Sequence, residues 1–116
     1  MEPEAMKQAV ISALEDIKAK DIAVLKVSHL TSMTDYMIVA TGDSNRQTRA
    51  LAGHVQEKLK ELGAVVLGVE GEDSGEWVLV DLGQVVVHIM QPSTREHYSL
   101  EQLWGEGRRH GPKTAV

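Results

Sequence analysis

Residues 75–92 read GEWVLVDLGQVVVHIMQP, two apolar runs at 77–80 and 85–90 on either side of the short break Asp81-Leu82-Gly83-Gln84. This pattern predicts a β-hairpin. Val78, Val80, Val85, Val86, Val87 and Ile89 are β-branched and suit a pleated surface, and Gly83 supplies the permissive backbone of a tight connection. Because the runs are nearly unbroken rather than alternating, both faces are expected to be covered, as for central strands with helices packed on them. The polar exceptions carry obligations. Asp81, His88 and Gln91 must be hydrogen-bonded or lie at an edge, and Trp77 needs an acceptor for its indole N–H.

Working back from the hairpin, residues 70–75 (EGEDSG) form an acidic, glycine-bearing loop and residues 64–69 a strand. Before that strand, Ser44-Asn45-Arg46-Gln47 matches a capping box: Ser44 accepts from the Gln47 N–H while Gln47 reaches back to the Ser44 N–H. The helix it opens buries Leu51, Ala52, Val55, Leu59 and Leu62, and Gly63 stands where a left-handed residue ends a helix. Residues 36–41 and 22–27 are further strands, and residues 3–20 a helix with Met6, Val10, Ala13, Leu14 and Ile17 on one face. Beyond the hairpin, Pro92 ends the last strand and a short helix is expected over 99–104. The fold class is therefore α/β, a single domain with a mixed β-sheet flanked by helices and no internal repeat. The domain is placed at residues 1–104. Residues 105–116 are expected to form a flexible basic tail, with Arg108, Arg109 and Lys113 against Glu106, a local balance of +2 that leaves −7 for residues 1–104.

The 116 residues, 42% hydrophobic, suit one core. With no cysteine there is no disulfide framework, thiolate metal site or cysteine nucleophile. The start, MEPEAMKQ, lacks the basic region of a signal peptide, and no apolar run approaches the ~20 residues of a membrane span, so a cytoplasmic location is expected. A net charge of −5 disfavours direct nucleic-acid binding by the domain and favours a basic protein partner.

Catalytic spacing is scarce. The five histidines, His29, His54, His88, His97 and His110, form no His-x-x-x-His pair, and His88, among valines, reads as a satisfied structural residue. The turn Gly42-Asp43-Ser44 joins a strand to a helix, as in the glycine-serine opening of nucleotidyltransferases. Those enzymes also need two clustered carboxylates for metal, and no Asp-x-Asp or Asp-x-Glu falls on any strand. Glu70, Glu72 and Asp73 lie in a loop, where a solvated turn explains them. The alternative function that these features would support is a metal-dependent nucleotide-binding or nucleotidyltransferase-like enzyme.

Four segments, TDYMIVATG (34–42), GEWVLVDLG (75–83), VVHIMQP (86–92) and YSLEQLW (98–104), together resemble the ribosomal silencing factor family, also called Iojap-related proteins. The resemblance spans roughly residues 6–104; Gln84 stands where an acidic residue is common in the family. It implies a nucleotidyltransferase-like fold without the catalytic carboxylates, and a non-enzymatic translational repressor with no cofactor or metal. Such a protein binds ribosomal protein fourteen of the large ribosomal subunit and keeps the small subunit from joining when nutrients are scarce. On that reading Trp77, Leu82, Met90 and Pro92 form the apolar centre of a docking surface, and Glu70 and Asp73 its acidic rim. Trp77 and Met90 also fit a core, whereas Leu82, in the hairpin turn, is expected to be exposed. Tyr36 and Tyr98 are expected to pack inside with bonded hydroxyls. A homodimer paired through a sheet edge is a further expectation for the free protein.

Overall fold

The hairpin forms: β4 (Trp77–Asp81) and β5 (Val85–Met90) pair antiparallel, with Trp77 opposite Met90 and Asp81 opposite Val86. Gly83 has φ +86°, its N–H donates to Asp81 Oδ1 at 2.8 Å, and Leu82 N donates to the Val85 carbonyl at 3.0 Å. The obligation on Asp81 is thus met inside the turn. The computed structural model describes residues 1–98. Around the hairpin lie α1 (Pro3–Asp16), β1 (Lys20–Lys26), β2 (Tyr36–Thr41), α2 (Asn45–Glu61), β3 (Gly68–Glu70) and α3 (Pro92–Tyr98). The helix expected at 99–104 and the tail at 105–116 lie outside the described residues.

The sheet order is β1-β2-β5-β4-β3, with β2 and β5 parallel and every other pair antiparallel. A mixed sheet results because α2 carries the chain from β2 across to the far edge, and the chain then returns through β4 to place β5 beside β2. In passing, α2 lies over β4 and β5 while α1 lies over β2 and β5.

Both helices therefore occupy one face. Val78, Val80, Val85, Val87, Ile89, Ile38 and Ala40 meet Met6, Val10, Ala13 and Leu14 of α1 and Leu51, Ala52, Val55 and Leu59 of α2 in the main core. The reverse face carries a smaller cluster of Val27, Met37, Val39 and Met90, with Leu25 and Trp77 against it. Of the helices expected on both faces of the hairpin, α1 and α2 cover one face, and the helix expected at 99–104 lies outside the described residues. β5 is the central strand of the sheet, between β2 and β4. Among the described residues, α3 reaches the reverse face through Arg95, whose guanidinium donates to Thr41 Oγ1 at 2.8 Å and to the Asp21 carbonyl.

Element ends depart from expectation for local reasons. α1 stops at Asp16 because Lys18 takes φ +61°, with Ala19 N donating to the Leu14 carbonyl, and the next residues enter β1. The α2 stripe ends at Leu59; Leu62, past the last helical residue, is 52% exposed rather than buried. The expected strand at 64–69 narrows to β3, since Ala64 N still bonds the Leu59 carbonyl and the chain reaches β4 only at Leu67. Pro92 not only ends β5 but starts α3, at a helical position that needs no N–H donor.

The capping box is half as expected. Ser44 Oγ accepts from Gln47 N at 3.1 Å, but Gln47 Oε1 accepts from Asp43 N, while its Nε2 donates to the Ile17 and Lys18 carbonyls. Gln47 thereby ties the end of α1 to the start of α2. Asp16 adds a second tie, to His54 Nε2 at 3.0 Å and Lys58 Nζ at 3.1 Å, and these two bonds, His54 first, hold its carboxyl below the usual carboxylate range.

Candidate docking face

Trp77, at the start of β4, and His88, in β5, are diagonal neighbours on the reverse face, because His88 stands opposite Leu79. The indole Nε1 donates to His88 Nδ1 at 2.9 Å, with ring centroids 5.8 Å apart and planes inclined by 51°. An indole nitrogen only donates, so Nδ1 must be the bare nitrogen and the neutral ring carries its proton on Nε2. His88 is 7% exposed, and burial pushes its pKa down from 6.5 to about 4. It is a buried structural histidine, as its sequence setting suggested, with Nδ1 satisfied by the indole.

Stability inherits a pH dependence from this burial. Between pH 6.5 and about 4 the unfolded chain binds a proton at this site that the folded chain does not, so stability is full above the window and falls as pH drops through it. The expected loss is up to about 3 kcal/mol. Urea unfolding at pH 7.5 and pH 4.5 measures it, and His88→Asn should flatten the difference; an unchanged difference in that variant would refute the assignment.

The acidic loop is built by its glycines and by α2. Gly71 has φ +87°, and a Cβ there would sit 2.0 Å from the Trp77 carbonyl oxygen, so this loop can press on the β4 backbone only with glycine. Arg49 of α2 donates to the Glu72 carbonyl at 2.8 Å and to the Asp73 carbonyl at 2.9 Å. At the other end of the loop, Gly75 O accepts from Thr48 Oγ1 at 2.5 Å and from Gln91 Nε2, which also reaches Asn45 Oδ1. Gln91 is therefore bonded, as its position required.

Five of the six expected docking residues gather at this end of the hairpin. Glu70 ends β3, Asp73 lies in the loop, Trp77 faces Met90 across the ladder, and Pro92 follows two residues later. Glu70, Asp73 and Pro92 are exposed and Trp77 is half-buried. Leu82 is elsewhere, at the turn five residues along the strand, roughly 15 Å away at the usual rise.

Two of the six are corrected as exposed anchors. Leu82 is 4% exposed and belongs to the helix-side core, because the alternation Val78, Val80, Leu82 carries its side chain onto that face despite the turn. Met90 is fully buried beside Val39 and Met37. Trp77, Pro92, Glu70 and Asp73 are left as an accessible set. Sequence reasoning missed the supporting roles of Arg49 and of His88 as indole acceptor; the diagonal spacing of the two strands, once register is assumed, is the signal that would have found the second. Tyr36 packs against the core and donates to Glu4 Oε1 at 2.8 Å, with Lys7 over its ring, as expected for a bonded tyrosine. The Tyr98 side chain lies outside the described residues.

The Gly42-Asp43-Ser44 turn is filled by the domain itself. A Cβ at Gly42 would meet Thr48 Cγ2 at 2.9 Å, and Asp43 pairs with Lys20 at 2.7 Å. Among the described residues, no three histidine or carboxylate side chains form a group that could hold a metal ion, and no helix is long and apolar enough to cross a membrane.

Fold and face together define a class: a single α/β domain whose five-stranded mixed sheet carries two helices on one face and, at one end of the other, an indole beside an acidic loop. A solved crystal structure from Chromobacterium violaceum superposes with a TM-score of 0.90 at 56% identity, covering 100% of this chain and 94% of that one. The family model described as ribosomal silencing factor during starvation matches residues 1–115, and the chain belongs to that family. A ribosomal silencing factor of Chromobacterium violaceum is 59% identical over 105 residues, 90% of this chain and 86% of the relative. The mouse protein named mitochondrial assembly of ribosomal large subunit protein 1 is 36% identical over 98 residues, 82% of this chain and 43% of its own length.

Proposed function

We propose that the domain represses translation by docking on the large ribosomal subunit through ribosomal protein fourteen, so that the small subunit cannot join. The family match over residues 1–115 carries this reading, and the large-subunit name of the mouse relative supports it. It acts as a steric plug in the cytoplasm, without catalysis, cofactor or metal and without sequence-specific contact to nucleic acid. Trp77 and Pro92 provide the apolar contact, and Glu70 and Asp73 meet a basic partner. Sucrose-gradient sedimentation tests the proposal. The protein should travel with isolated large subunits and not with small subunits, and should consume no nucleoside triphosphate; binding confined to small subunits, or metal-dependent nucleotide turnover, would overturn it.

The acidic rim has its own test. Glu70→Lys combined with Asp73→Lys is expected to slow association with large subunits about tenfold at low salt and to flatten its salt dependence. An association rate in the parent that is the same at low and high ionic strength would contradict the rim.

Off the ribosome, the β3 edge is the one at which two copies would pair. The β1 edge is broken by a register shift and lined by Lys20, Asp21 and Lys26, whereas Val65 and Leu67 are 69% and 64% exposed beside β3.

A further inference from the structure

Resting on the reading of Trp77 as a docking anchor, we infer that His88 is the positioning residue of the docking face, its Nδ1 fixing the Trp77 indole in the orientation that the ribosomal partner meets. The indole is held by its own chain on two sides. Its backbone is fixed by the close approach of Gly71 to the Trp77 carbonyl and, next to it, by Gln91 N donating to the Glu76 carbonyl at 3.1 Å. Its ring is oriented by the 2.9 Å bond to His88, which is itself immobilised in the central strand of the sheet and 7% exposed.

A half-buried tryptophan contributes to binding in proportion to how little ordering remains to be done on contact. His88 has removed that ordering in advance. A buried neutral imidazole is chemically suited to this role, because it presents one acceptor in a fixed direction and the only group on the indole that can use it is Nε1–H. A residue of similar size without an acceptor at the Nδ1 position would fill the space and remove the directional bond that His88 gives the ring.

Three variants test this in the full chain. His88→Leu removes the acceptor, His88→Asn restores an oxygen near the Nδ1 position, and Trp77→Phe removes the indole N–H. The readouts are affinity for isolated large subunits and the indole ¹⁵N–¹H resonance of Trp77, assigned by its loss in Trp77→Phe. The expected result is a shifted resonance and about tenfold weaker binding in His88→Leu, recovery of most of the affinity in His88→Asn, and no further loss when His88→Leu is added to Trp77→Phe. Weak binding by Trp77→Phe together with parental binding by His88→Leu would overturn the positioning role alone. Parental binding by Trp77→Phe would overturn the anchor reading and this inference with it. If His88→Leu does not fold, His88→Gln, whose amide reaches the Nε2 rather than the Nδ1 position, takes its place with the same expected loss.

Discussion

Leu82→Ala is expected to lower the free energy of unfolding by roughly 2–4 kcal/mol while leaving the affinity of folded molecules for the large subunit within about twofold of the parent. Leu82 is 4% exposed and joins Val80 and Val85 in the core beneath α1 and α2. Truncation there removes buried methyl groups and leaves a cavity under a turn whose backbone is already fixed by the Gly83–Asp81 and Leu82–Val85 bonds, so little collapse is available to refill it. Urea unfolding measured beside binding separates the two effects. A variant as stable as the parent that binds weakly would return Leu82 to the docking surface.

Trp77→Ala is expected to do the opposite. Loss of a half-buried indole that a partner desolvates costs on the order of 2–3 kcal/mol of binding, roughly 30- to 150-fold in affinity. Folding stability should fall less, by about 1–2 kcal/mol, because the ring lies at the border of the smaller reverse-face cluster and not in the main core. His88 loses its donor in this variant, which accounts for part of that cost. Titration against large subunits under conditions where both proteins are folded gives the comparison, and affinity within threefold of the parent would remove Trp77 from the interface.

Much of the fold was legible because local signals agreed with one another. The hairpin runs, the Ser44 cap and Gly63 at φ +95° each mark an element that the structure shows, and the chain order of helices and strands follows from them. The sidedness of the sheet was not legible. A continuous run such as residues 85–90 marks a central strand without saying which face each helix takes, and the strand order is a long-range property.

Leu82 shows how two valid local rules conflict. A turn position argues for exposure, and the alternation of Val78, Val80 and Leu82 argues for the core. Burial prevailed because the helix-side face continues past the last ladder pair. Met90 was ambiguous between core and interface for a related reason: its fate depends on the residues beside it on β2, which the sequence does not align. For Trp77 the need for an acceptor was readable, whereas the identity of that acceptor required the register that sets His88 diagonally across from it.

The acidic loop gives the clearest case of a feature readable in kind but not in construction. Its charge is plain in the sequence, yet what presents it is Arg49, far upstream on α2, clasping two loop carbonyls, together with a glycine whose side-chain position is occupied by the Trp77 carbonyl. The proposed docking face and the fold therefore share parts. The same β4 backbone that builds the sheet also carries the indole and supports the loop.

Repression by a steric plug requires that docking on the large subunit block joining, and light scattering from purified subunits measures that directly. Large subunits incubated with the protein and then mixed with small subunits should form intact ribosomes more slowly and to a lower extent as the protein approaches one copy per large subunit, without any nucleotide present, and Trp77→Ala should need far higher concentrations for the same effect. Unchanged joining at saturating protein, with the protein bound to the large subunit, would contradict the proposed mechanism.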